Sequence, residues 1–257
     1  MAFIEVEKLY KTYHQNNHDF QALNQVSLTV EKGEFICLLG PSGCGKTTLL
    51  NAMAGFEKPD RGVIRIDGKT VVKPSPDYVT IFQHYGLLPW QTVEKNVMLG
   101  LLAQKKHKLE AMEIADRYLK LVGLEKFKDS RPSQLSGGMQ QRVSIARALA
   151  VAPKILFMDE PFAALDAITR LKMQDDIHRL AREQDITVIF VTHDIEEAVA
   201  LADRIVIMTP NPGRIKKILP VTLGKRRDRT SEDFLFFRDK VFQIFEMKPQ
   251  NNIEYYI

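Results

Sequence analysis

The segment Gly40-Pro41-Ser42-Gly43-Cys44-Gly45-Lys46-Thr47 constrains this chain more than any other. It sits between a short apolar run, 35–39, and a stretch of helical character, 48–54. Glycines at these spacings let the backbone fold back so that successive N–H groups point into one concavity, and the following helix adds the positive end of its dipole. Such a concavity suits phosphate oxygens. Lys46 supplies a mobile cation for the β- and γ-phosphates of a nucleoside triphosphate, and Thr47 offers a hydroxyl to Mg²⁺. The candidate nucleotide-binding residues are therefore Gly40, Pro41, Ser42, Gly43, Cys44, Gly45, Lys46, Thr47 and Thr48. Within them Cys44 is expected to face the phosphates, open to solvent and with its thiolate favoured by Lys46, whereas Cys37 in the apolar run is expected to be buried and inert.

Around this motif the chain reads as α/β. The apolar runs 35–39, 155–158, 188–191 and 205–208 alternate with segments of helical period, the pattern of a mainly parallel sheet covered by helices. Segments 3–9, 26–30 and 63–67 alternate apolar with polar residues and carry turn signals such as Asp67-Gly68, which predicts an N-terminal antiparallel layer. Between the runs, Val93, Val97 and Leu101, then Leu109, Met112, Ala115, Leu119 and Val122, recur at helical spacing and predict an inserted helical subdomain. The expected organisation is one domain. Residues 1–90 and 150–220 form a P-loop NTPase core with mixed sheet, 91–149 the helical subdomain, and 221–257 a C-terminal extension with a helix on which Phe234, Phe237, Val241 and Phe245 share a face.

Composition excludes little beyond disorder and collagen: 45% of the 257 residues are hydrophobic and 26% charged. The net charge of +4 names no partner. No window reaches the roughly 18 consecutive apolar residues of a membrane span, and the start lacks the pattern of a signal peptide, so a cytoplasmic chain with its two cysteines reduced is expected.

Two further constellations carry chemistry. The run 155–158 delivers Asp159 and Glu160 at its C-terminal end, where ligands bind in open α/β sheets; Asp159 fits a carboxylate serving Mg²⁺ and Glu160 a base for the attacking water. Leu135-Ser136-Gly137-Gly138-Met139-Gln140 opens a helix on which Met139, Val143, Ala146 and Ala150 share a face while Gln141, Arg142 and Arg147 lie off it. Ser136 and the free N–H groups of Gly137 and Gly138 then make a second anion site on a chain that already has one.

Taken together, GPSGCGKT, LSGGMQQ, ILFMDEP, the step Ala164-Leu165-Asp166 and Thr192-His193-Asp194 resemble an ABC-type ATPase in order and approximate spacing over nearly the whole chain. In that family the signature of one subunit closes over ATP held by the P-loop of the other, which implies a head-to-tail homodimer with two shared sites. The resemblance further implies that Tyr13 stacks on adenine, that Gln83 touches Mg²⁺ and water and signals to a membrane partner, that Asp166 couples the two sites, and that His193 contacts the γ-phosphate. Met139 and Ala164 depart from the commoner Gln and Ser without removing a group that touches phosphate.

One cassette without a fused membrane segment or long heptad insertion argues for the separate ATPase subunit of a transporter rather than an ABC ATPase acting on nucleic acid or ribosomes, or a P-loop kinase. Its implied partners are two permease subunits at the cytoplasmic face of the membrane and, indirectly, an extracytoplasmic solute-binding protein; no nucleic acid is expected. GLLPW at 86–90, DEPFAALDAITR at 159–170 and NPGRI at 211–215 resemble importers for nitrate, taurine and aliphatic sulfonates. Exposed Leu87, Leu88, Pro89 and Trp90 would offer an apolar groove to a helix of the permease, the alternative being that Trp90 is a local core residue. The basic run 225–229 reads as a solvated loop or a lipid-facing patch.

Overall fold

The computed structural model describes residues 2–15, 18–83, 85–224 and 227–246. The apolar runs become β3 (Phe35–Leu39), β7 (Ile155–Asp159), β8 (Thr187–Thr192) and β9 (Arg204–Thr209) of a six-stranded sheet, ordered β10-β9-β3-β8-β7-β6. Strands β6 (Tyr78–Ile81), β7, β8, β3 and β9 run parallel, and β10 (Arg214–Pro220) closes one edge antiparallel through a hairpin. The inner strands β3, β7, β8 and β9 are apolar at nearly every position because both faces are covered. On β3, for example, Phe35, Cys37 and Leu39 enter one core while Ile36 and Leu38 enter the other.

The second core lies under α1 (Lys46–Ala54) and an antiparallel sheet ordered β2-β1-β4-β5, built from β1 (Ile4–Gln15), β2 (His18–Val30), β4 (Arg61–Ile66) and β5 (Lys69–Thr70). These strands run longer than the alternating segments suggested, since β1 and β2 continue as a paired ribbon through polar and aromatic residues up to the register Gln15 with His18. On the first core lie α2 (Val93–Ala103), α3 (Lys108–Leu121) and α4 (Gly137–Ala150), packed on one another, together with α5 (Ala167–Glu183), α6 (Ile195–Leu201) and α7 (Glu232–Glu246). Helix α7 docks on α6 through buried Phe234, Phe237 and Val241, with Phe245 half-buried beside them.

Four expectations need correction. Leu109 is 64% exposed, because it falls in the first turn of α3 before that helix meets its neighbours. Gln141 is buried, because α4 is packed on more sides than one apolar stripe implied. In 86–90, Leu87 and Leu88 are half-buried while Trp90 is 67% exposed, so only part of the expected apolar groove faces outward and Trp90 is not a core residue. Of the basic run, Lys225 and Arg226 lie outside the described residues, while Arg227 and Arg229 are half-buried and hydrogen-bonded within the fold, which departs from a simple solvated loop. Among the described residues no helix is long and apolar enough to cross a membrane.

Candidate functional site

Strand β3 ends at Leu39 and α1 begins at Lys46, leaving six residues to turn the chain. The turn passes through left-handed backbone at Gly43 (φ 77°) and Gly45 (φ 88°). Any other residue would be strained at Gly45, and its Cβ would meet the Ala22 carbonyl oxygen at 2.5 Å. Gly45 is also the N-cap of α1 and brings no side chain to cap it, so the first-turn N–H groups are left for an external anion. The buried ammonium of Lys46 arches back over the turn and donates to the carbonyls of Gly40 (2.7 Å) and Pro41 (2.9 Å). Ser42 and Thr47 are exposed on this rim, and Thr48 is half-buried one residue further into α1.

Cys44 does not fulfil its expectation. The glycines on either side turn its side chain inward, where it is 0% exposed and its Sγ lies 3.9 Å from the Lys46 Nζ. Burial pushes the thiol up, against the opposing pull of Lys46. Cys37 is buried too, and its thiol is pushed well up by desolvation. We therefore expect neither cysteine to react with a bulky maleimide in the folded chain, with or without Mg-ATP, and both to react once the chain is unfolded. Rapid native labelling of Cys44, read by mass spectrometry, would contradict this inward placement.

Beside the turn, the strand ends of β7 and β8 deliver the acids and the histidine. The Thr47 hydroxyl donates to Asp159 Oδ1 at 3.2 Å, which joins the start of α1 to the end of β7. Burial raises the pKa of Asp159; the Thr47 hydrogen bond opposes this, and the charge of Glu160 adds to it. Glu160 takes up left-handed backbone (φ 45°), a conformation that costs a non-glycine residue about 1–2 kcal/mol. Its N–H donates to the Val191 carbonyl (3.1 Å), fixing it against β8, and its Oε1 lies 3.1 Å from His193 Nδ1. Strain held in place by an adjacent strand is a mark of functional positions.

Tyr13 is half-buried on β1, with Lys11 Nζ 5.2 Å from its ring centroid, and burial raises the pKa of its phenol. Gln83, just past β6, is exposed and makes no hydrogen bond among the described residues. Ser136 caps α4, its hydroxyl accepting from Met139 N–H at 3.3 Å. A Cβ on Gly137 would lie 2.8 Å from the Tyr85 hydroxyl, and one on Gly138 would lie 3.0 Å from the Ala164 carbonyl oxygen. Asp166 caps α5 by accepting from Thr169 N–H at 3.0 Å, which holds its carboxyl below the usual range. The structure thus brings Thr47 to Asp159 and Glu160 to His193. It leaves 136–138 on a helix packed against α2, α3 and β6, with no hydrogen bond to 40–48 among the described residues.

The profile of the ABC transporter family matches residues 23–163, which include the glycine-rich turn, the strand-end acids and the Ser136 segment. An ABC transporter ATP-binding protein of Methanocaldococcus jannaschii is 49% identical over 95% of this chain and 91% of its own length. The chain belongs to the ABC transporter ATP-binding family. It is an ABC ATPase subunit of a transporter. Among other ABC relatives, a bicarbonate transport ATP-binding protein of Synechocystis is 45% identical over 92% of this chain and 86% of its own. A nitrate import ATP-binding protein of Synechococcus elongatus is 43% identical over 89% and 84%. A solved dimeric cassette bound to ADP and Pi, described as a post-hydrolysis state, superposes with a TM-score of 0.78 at 34% identity, covering 86% of this chain and all of that one.

Several residues around this ABC site escaped sequence reasoning. Arg147, whose pKa burial lowers, donates to the carbonyls of Tyr85 (3.0 Å) and Gly86 (2.7 Å), tying the segment after Gln83 to α4. Fully buried Asn96 accepts from Leu88 N–H (2.8 Å) and donates to the carbonyls of Leu88 (3.2 Å) and Thr92 (2.9 Å), fixing the 86–90 loop. An amide next to Val97 on the apolar face of α2 was the available signal for the second of these. No local pattern announced the first.

Proposed function

We propose that this cassette is the ATPase subunit of an importer for a small oxyanion, working as a head-to-tail homodimer at the cytoplasmic face of the membrane on two permease subunits fed by an extracytoplasmic binding protein. The observation that carries the catalytic part is the convergence of the Lys46 turn, the Thr47–Asp159 hydrogen bond and the Glu160–His193 pair at neighbouring strand ends. The solute class rests on the nitrate and bicarbonate transport relatives and on the resemblance carried by 86–90, 159–170 and 211–215.

In this reading the first-turn N–H groups of α1 and the Lys46 ammonium hold the β- and γ-phosphates, and Tyr13 stacks on the base. The oxygen donors Thr47 and Asp159, already 3.2 Å apart, suit a hard divalent cation that takes few protein ligands. Thr47, Asp159 and Gln83 would hold Mg²⁺, which supplies charge neutralisation at the phosphate oxygens. Glu160 orients and deprotonates the attacking water, and His193 donates a hydrogen bond through Nδ1 to Glu160 Oε1, fixing which carboxylate oxygen is free to face the water. Ser136, Gly137 and Gly138 of one subunit face the nucleotide of the other, and Asp166 lies at the junction of the two sites.

The test is transport itself. The chain is expected to co-purify with a two-copy permease. Its ATPase rate in vesicles should rise severalfold when binding protein and nitrate, bicarbonate, taurine or an aliphatic sulfonate are supplied. Stimulation by a sugar or amino acid alone would overturn the solute class, and co-purification with nucleic acid instead of a membrane protein would overturn the importer.

A further inference from the structure

The imidazole of His193 is 62% exposed, so little packing holds it. Its place depends on the backbone of 192–194 and on the contact with Glu160. That backbone is pinned from below. The Asp194 N–H donates to the Thr192 hydroxyl oxygen at 3.0 Å, spanning His193, and the same hydroxyl donates to Glu197 Oε2 at 2.6 Å. The other oxygen of Glu197 accepts from Gln174 Nε2 at 2.9 Å, and Gln174 Oε1 accepts from Arg229 Nη2 at 2.6 Å. Thr192, Glu197 and Gln174 are buried, Gln174 completely so. A cavity of about 130 Å³ is lined by Glu160, Arg170, Thr192, His193, Asp194 and Glu197, so the end of this chain of bonds and the acid–histidine pair share one space.

The polarity of the chain is set at its far end. A carboxamide has nearly the same shape either way round, and a buried carboxylate such as Glu197 needs its NH₂ side. A guanidinium offers donors only, so Arg229 claims the carbonyl side of Gln174 and leaves the NH₂ side for Glu197. The turn carrying Arg229 is latched as well, since Arg227 Nη1 donates to the Val199 carbonyl on α6 at 2.7 Å.

We propose that Arg229, in the segment leading to α7, is a positioning residue for His193, acting through Gln174, Glu197 and Thr192. The segment after β10 thereby reaches the hydrolytic centre without touching nucleotide. The inference rests on the reading of His193 as part of the hydrolytic site.

Steady-state ATPase kinetics of the full chain test it. Displacing a catalytic group by about 1 Å from a remote site can cost ~10²-fold in rate. Arg229→Met, which keeps the stem and removes the donors, is therefore expected to lower kcat at least about tenfold with KM for ATP unchanged. Arg229→Lys should recover part of the loss. In a His193→Ala background Arg229→Met should cause no further loss, and in the otherwise wild-type chain it should shift the His193 imidazole resonances in NMR spectra. A kcat within twofold of wild type, a rise in KM alone, or the same fractional loss with and without His193 would overturn the proposal. If Arg229→Met does not fold, Gln174→Met is read by the same criteria. Undiminished turnover in His193→Ala would instead refute the catalytic reading of His193, and the positioning role would fall with it.

Discussion

Glu160→Gln is expected to bind Mg-ATP with near wild-type affinity and to lose at least about 100-fold in turnover, the scale of a general base removed. The substitution is close to isosteric, and the N–H bond of residue 160 to Val191 does not depend on the side chain, so the left-handed backbone that aims it should persist. An amide, however, can neither accept a proton at neutral pH nor carry the charge that orients water. His193 Nδ1, 3.1 Å from the carboxylate, would still find the amide oxygen as a partner, so the loss should appear in kcat and not in folding or nucleotide affinity. With hydrolysis blocked, an ATP-dependent dimer should accumulate on a sizing column. Hydrolysis at near wild-type rate would show that Glu160 is not the base.

What the sequence disclosed and what it hid divide along a physical line. Strands β3, β7, β8 and β9 were legible because burial on both faces leaves a continuous apolar run, and α7 because Phe234, Phe237 and Val241 repeat at its pitch. The glycine-rich turn was legible because glycines at these spacings, after an apolar run and beside a Lys-Thr pair, have few other uses. Cys44 was misjudged inside that same turn. Which way a loop side chain points depends on the dihedrals of its neighbours, and a hydropathy pattern does not contain them. Gln141 failed for a related reason, since periodicity gives a helix one face and tertiary packing gave α4 several. The bonds behind His193 were hidden by distance along the chain: Arg229 and Gln174 are 55 residues apart, and Gln174 and Glu197 are 23 apart. Each residue alone reads as an ordinary surface polar group, and only the fold makes them a buried series.

Ser136→Arg is expected to leave ATP binding by the isolated subunit unchanged and to abolish hydrolysis. Ser136 is the N-cap of α4, which packs on α2, α3 and β6, whereas the turn proposed to hold phosphate leads into α1, which packs on β2, β6, β7 and β8. Losing the cap on Met139 N–H costs helix stability of only about 1 kcal/mol, so the fold should survive while a bulky cation fills the space that the proposed dimer gives to a partner's phosphate. Lys46→Ala should have the complementary defect. It removes the ammonium that bridges the turn, and with charge-assisted hydrogen bonds worth about 1.5–3 kcal/mol, ATP affinity should fall by roughly 10- to 150-fold. Neither variant should hydrolyse ATP alone. In a heterodimer of the two, the intact turn of the Ser136→Arg chain faces the intact signature of the Lys46→Ala chain, giving one whole site. With random pairing and independent sites, an equal mixture should recover about a quarter of wild-type activity. Loss of ATP affinity in the Ser136→Arg monomer would place Ser136 in its own subunit's nucleotide site and refute the shared-site dimer.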